Sequence, residues 1–353
     1  MLLGCSRAGV ILSCECRGGG GDNSMTTRQA ADREWIGGKR DGCREDASVP
    51  AGDPSLQEWA KPPTEMTAAA AAVEKIGDRL AAVWRELDEA GDPLADPEVV
   101  HRLRVATRRS LAALAAFDDL TPKKLRRRFE RQLRRIRRAA GEARDLDVLI
   151  DRLRQRWPTA AENDPAAERL LSLLADQQVA SRGPIRDCRA DLLAWDWPAR
   201  TKRLLAAIGA ADSLGYGRYA RRRLRQVGRR FFAAAGPFKR AAELHQFRIC
   251  GKRLRYSLDL FADALRPQPH DRCLKLLKKL QEQLGGFTDH VAAAERFRQL
   301  AAEPVDAGTA AVVDSLREEE RRLARLTRRQ FRRWWTTDRQ QKLQRLLRKA
   351  AKR

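Results

Sequence analysis

His101, Arg104, Arg108 and Arg109 lie within one stretch, HRLRVATRRSLAALAAF at 101–117. On a helix of 3.6 residues per turn the first three share a side, with Arg109 at its edge, while Val100, Leu103, Thr107, Ser110, Leu114 and Phe117 fall opposite. The chemistry such a face offers is anion binding, because a guanidinium group is a fixed fork of donors that matches phosphate oxygens. A solvated helix normally intersperses acids among its cations, since like charges three and four residues apart repel. This face has no acid.

The pattern returns 144 positions later, at 245–261, as HQFRICGKRLRYSLDLF. His245, Arg248, Lys252 and Arg253 stand where His101, Arg104, Arg108 and Arg109 do, and Leu258 and Phe261 match Leu114 and Phe117. A repeat at one fixed offset is a stronger signal than either copy alone.

Each basic helix is followed by another. Thr121-Pro122 reads as an N-cap with proline at the first helical position, opening a long helix that bends at Gly141 and runs to Pro158. Its apolar positions are Leu125, Phe129, Leu133, Ile136 and Ala140; opposite stand Arg127, Arg131, Arg134 and Arg138, flanked by Arg128 and Arg135. In the second half Lys275, Lys278 and Lys279 take the places of Arg131, Arg134 and Arg135, while Glu282 replaces Arg138 and shortens the cationic face. Gly141 is matched by Gly285 and Asp145 by Asp289, again 144 apart.

The elements that position these faces are helices throughout. Abundant Ala, Leu, Arg and Glu, aromatics at 6% and the absence of alternating β-branched runs predict an all-α chain. At 353 residues and 43% apolar content it can build a core. Residues 1–64, rich in Gly, Pro and charge without periodicity, read as disordered or as an extension upstream of the true start, Met25 and Met66 both being plausible starts. One domain is expected over 65–340, with a first half at about 65–195, a junction at Trp195 to Gly217, and a second half at about 215–340. An amphipathic helix opens it, carrying Val73, Ile76, Leu80, Val83, Trp84 and Leu87 as far as Ala90; its counterpart is 218–235. A further helix runs from Asp164-Pro165 to Ala194, interrupted at Gly183-Pro184, and one or two more fill 304–353, packing Leu323, Leu326, Phe331 and Trp335 and leaving 341–353 as a basic helix end.

Formal charge is +24 and the isoelectric point 10.6, which implies a polyanionic partner. Only 14 of the 71 basic residues are Lys, a bias that suits phosphate but that a genome rich in Arg codons would also produce. The seven cysteines, at 5, 14, 16, 43, 188, 250 and 273, have no paired CxxC spacing, which argues against a zinc module or disulfide framework and for a reducing compartment. No apolar run approaches the ~18 residues of a membrane span, and the short start MLLGCSRAGVILSCEC is broken too early for a signal peptide. No membrane and no cofactor is expected.

HRLRVATRR, ARDLDVL, LHQFRICGKRLRYSLDLF and LQEQLGGFTDH together resemble the CHAD family, the conserved histidine α-helical domain, over about residues 66 to 335. The resemblance implies two pseudo-symmetric helical bundles whose basic helices face a central groove or pore. It implies binding of inorganic polyphosphate, association with polyphosphate granules in the cytoplasm, and polyphosphate-metabolising enzymes as partners. No attached tunnel-type hydrolase domain is visible, so a stand-alone, non-enzymatic binding module is expected. Its binding residues would be His101, Arg104, Arg108, Arg109, Arg131, Arg134, Arg135, Arg138, His245, Arg248, Lys252, Arg253, Lys275, Lys278 and Lys279.

The histidines are either hydrogen-bonding residues at helix starts or phosphate donors that bind best when protonated. A metal site is disfavoured, since the neighbours are Arg and Lys and no second ligand lies within i+4. Asp145 and Asp289 are expected to hold an arginine in place by a charge-assisted hydrogen bond, and Arg144 to meet ligand or Asp147. Two rivals remain: a nucleic-acid-binding protein, for which stacking aromatics among the cations are lacking, nucleic acid then serving only as a competing polyanion; and a metal-dependent phosphohydrolase, for which clustered carboxylates are lacking.

Overall fold

Thr67 accepts a hydrogen bond from the Ala70 N–H and starts the first helix, α1 (Ala68–Ala90), whose Ile76, Leu80, Val83 and Leu87 are buried on one face. The computed structural model describes residues 66–92, 96–157, 164–211 and 213–352, so the reading of 1–64 lies outside the described residues. Ten further helices follow: α2 (Pro97–Ala116), α3 (Lys123–Arg156), α4 (Pro165–Ala180), α5 (Gly183–Ala194), α6 (Trp197–Gly209), α7 (Tyr216–Ala233), α8 (Ala241–Leu260), α9 (Pro267–Leu300), α10 (Ala307–Trp334) and α11 (Thr337–Ala350). A 3₁₀ turn, Ala262–Ala264, precedes α9. The fold is all-α, and among the described residues no strand occurs.

Capping explains most of the boundaries. Asp96 and Asp164 accept from the N–H groups of Glu98 and Ala166 and are each followed by proline in the first turn, where no intrahelical N–H is needed. At α3 the expected cap is displaced by one residue. Pro122 occupies the cap position, and the Thr121 hydroxyl donates to the Phe117 carbonyl at 2.7 Å, closing the turn after α2. Helix α3 passes unbroken through Gly141 over 34 residues. The junction expected at 195–217 contains a helix: Asp196, with φ of 55°, caps α6, and Trp197, Leu204 and Ile208 are buried as it packs on α1.

Helix α8 begins and ends 144 positions beyond α2, and α9 begins and ends 144 positions beyond α3. The two stretches meet at a seam. The start of α1 pairs with the start of α7 through an antiparallel bridge between Thr67 and Gly215, the Ala68 N–H donating to Leu214 and the Tyr216 N–H to Met66, both at 2.9 Å. Phe117 packs edge-on against Phe261 at 5.5 Å between centroids and stacks on Tyr219 at 5.6 Å. Lys75 pairs with Asp263 at 2.9 Å; at the positions 144 away, the Tyr219 hydroxyl donates to Asp119.

Two cores result. The larger takes side chains from every helix except α4; the smaller joins the far ends of α3 and α9 to α4 and α10 through residues such as Ile150, Leu174, Phe297 and Val313. Each draws on both halves of the chain. Helix α11 crosses the expected boundary at 340 and buries Leu343, Leu346 and Leu347 in the larger core. Of the tail residues expected inside, Phe331 and Trp335 are buried, Leu323 is half-buried and Leu326 is exposed.

Candidate anion-binding site

The cations of α2 and α3 converge because the two helices pack side by side with their apolar faces in the larger core. Arg104 donates from Nη1 to Asp145 Oδ1 at 3.1 Å. Arg108 is half-buried, with its Nε out of reach of solvent and of any partner among the described residues. Along α3 an open hollow of about 600 Å³ is lined by Arg127, Glu130, Arg131, Arg134, Arg137 and Arg138. Arg137 links the two helices: the residue is exposed, yet surrounding protein partly desolvates the guanidinium and pulls its pKa down, and so do Arg134 and Arg138 on its own helix and Arg104 and Arg108 on α2.

Not every expected residue joins this cluster. Arg135 turns aside to an ion pair with Asp191 of α5. Arg134 is held by Glu130, one turn earlier, at 2.8 Å, so the α3 face carries an acid. Arg109 lies close to Arg79 of α1, whose pKa is lowered first by burial and then by Arg109. Arg131 and Arg138 are exposed on the hollow.

The matched residues of the second half are placed unequally. His101 is only 7% exposed whereas His245 is exposed, so the two histidines do not share one environment. Arg248 and Lys252 are half-buried near Asp289; Arg253, Lys275, Lys278 and Lys279 are exposed. The Asp289 side chain reaches solvent yet is ringed by protein, which raises its pKa; Arg248, Arg152 and Lys252 oppose the rise and Asp145 adds to it. Its contact with water limits the energy involved. Asp145 and Asp289, one from each half, thus sense each other's charge.

Arg137 and Arg152 were not among the residues read from sequence. Arg137 follows Arg134 by three positions, a spacing that signals one face, but its approach to Arg104 depends on how α2 and α3 cross. Arg152 is tied to the buried Glu320 of α10, which also lies 2.6 Å from His290 Nδ1. Asp147 does not meet Arg144. It is buried against Arg182 at 3.2 Å and Gln178 at 2.7 Å. Among the described residues no group of three His, Cys, Asp or Glu side chains is placed to hold a metal ion, and no helix is long and apolar enough to cross a membrane. Cys188, Cys250 and Cys273 are buried and unpaired, and burial pushes the Cys273 thiol up to about 12.

Fold and cluster together describe an all-helical protein in which cationic helix faces are packed side by side. The CHAD domain family matches over residues 76–298, and the chain belongs to that family. Among solved structures it is similar to the CHAD domain from the plant Ricinus communis, with a TM-score of 0.62 at 24% identity, covering 74% of this chain and 88% of that one. It is also similar to PptA from Streptomyces chartreusis, with a TM-score of 0.57 at 16% identity, covering 76% and 99% of the respective chains. At these identities the likeness is one of fold. No curated protein matches the chain.

Proposed function

We propose that the protein binds inorganic polyphosphate without hydrolysing it, along the cations of α2 and α3 and their counterparts on α8 and α9. The convergence of Arg104, Arg108, Arg134, Arg137 and Arg138 carries the reading. Such a gathering repels itself in the free protein, and the neighbouring arginines lower the pKa of Arg137. A polyanion relieves it. Polyphosphate has no bases to read and asks only for many donors along a track, which suits faces without stacking aromatics. Asp145 and Asp289 lie among arginines and a lysine, which opposes the clustering of carboxylates around Mg²⁺ that phosphoryl chemistry ordinarily uses. Granules, or enzymes that make or consume the polymer, are the setting this activity fits.

Calorimetric titration with polyphosphate of defined length tests the reading. Arg104→Ala/Arg248→Ala should bind at least tenfold more weakly than wild type, since hydrogen bonds to charged groups are worth ~1.5–3 kcal/mol each. Wild-type affinity should fall steeply with salt, by counterion release, and saturating ligand should raise the melting temperature. An unchanged melting curve at low salt, displacement by single-stranded RNA at equal phosphate concentration, or release of orthophosphate with Mg²⁺ would each overturn it.

A further inference from the structure

The two halves differ in charge at three of four matched exposed positions of α1 and α7. At 74, 78, 81 and 85 stand Glu74, Asp78, Ala81 and Arg85; 144 positions on, equally exposed, stand Arg218, Arg222, Arg225 and Arg229. The inward positions keep their character, since Leu80 and Leu224 are both buried, as are Leu87 and Phe231. Packing therefore holds the matched helices in register while the outer stripe goes from mixed charge to wholly basic, with Arg222 paired to Asp119 at 2.7 Å. Helix α7 contains no acid, and its arginines at i, i+4, i+7 and i+11 form one line about 16 Å long.

Helix α11, beside α7, is basic as well. It packs on α7, a Cβ at Gly228 lying 3.9 Å from Leu347 Cδ1, and presents Lys342, Arg345, Arg348 and Lys349 to solvent with Asp338 as its only acid. Among the described residues Arg225, Arg229, Arg345 and Arg348 have no carboxylate partner. The large apolar side chains that are exposed, Val179, Leu193, Leu214, Val291 and Leu326, all lie off α7 and α11. A membrane-seated helix needs an apolar face, and a protein interface an apolar centre; this surface has neither. A flexible polyanion loses more conformational freedom on such a face than a stiff one does. A DNA duplex, stiff over about 50 nm, has little to lose, and over 16 Å it offers roughly ten phosphates.

We infer that the α7–α11 face binds the phosphate backbone of double-stranded DNA, without reading sequence and apart from the α2/α3 cluster. The test is fluorescence anisotropy with a labelled 30-base-pair duplex. Wild type should bind at low salt, and Arg225→Glu/Arg229→Glu/Arg345→Glu/Arg348→Glu should bind at least thirtyfold more weakly, with the log–log salt slope reduced by about 3.6. The corresponding Arg→Gln set serves if charge reversal disturbs folding. Arg104→Ala/Arg248→Ala should keep its duplex affinity whatever becomes of polyphosphate, which separates failure of this inference from failure of the previous one. Duplex binding lost in that pair but kept in the α7–α11 set would place the DNA in the α2/α3 cluster and overturn the inference. No duplex binding by wild type, or binding to phosphatidylserine vesicles in its place, would do the same.

Discussion

Asp147 and Arg182 form a charged pair in which both side chains are almost wholly inside the protein, at 3.2 Å, with Gln178 as a second donor to the carboxylate. One oxygen of Asp147 and one terminal nitrogen of Arg182 have no partner among the described residues. A buried pair of this kind adds little net stability, but removing one member leaves the other charged in a dry site. Asp147→Ala should cost ~3–5 kcal/mol in urea unfolding, and Asp147→Ala/Arg182→Met should recover most of it. Equal stability of the single and double variants would show that the isolated Arg182 charge is not what costs. The cations of the candidate site were legible in the sequence because charge and spacing are local properties. Their partners were only partly so. Glu130 stood in view one turn before Arg134, and Asp145 is expected from its place to hold an arginine, as it holds Arg104, but Asp191 reaches Arg135 from α5, and a single helix does not announce what another delivers.

At the level of the helix, α10 begins at an aspartate whose titration can be followed. Asp306 accepts from the Thr309 hydroxyl at 2.6 Å and from the Thr309 N–H at 3.1 Å, and Arg169 of α4 reaches it at 2.9 Å. These contacts, the Thr309 hydroxyl first, hold its carboxyl at about 2, below its ordinary 3.8. A carboxylate depressed in the folded state adds stability above its unfolded value and loses it as pH falls through the folded one. Wild type should therefore lose part of its melting temperature between pH 4 and about 2 that Asp306→Asn, which still caps, does not lose. Parallel pH profiles for the two would refute the assignment. Helix limits were readable where caps were explicit, as at Asp164-Pro165. Helix α6 was missed because Pro198 and Gly209 look like breaks, yet one falls in the first turn, where proline is tolerated, and the other at the last residue.

On the scale of the whole molecule, the offset of 144 was readable but the way the halves join was not. Periodicity along a chain says which residues go inside; it does not say that Phe117 and Phe261 will meet each other, or that α4 and α10 will close a second core across the far ends of α3 and α9. The bridge between Thr67 and Gly215, with the aromatic cluster behind it, joins pieces that the covalent chain connects only through the short link between α6 and α7. That link can then be dispensed with. Two polypeptides produced by scission between Ala211 and Ser213, expressed together with an affinity tag on one, should recover each other as a soluble helical heterodimer, since each presents aromatic surface that only its complement covers. If the tagged piece came down alone and folded, each portion would be a self-sufficient unit after all.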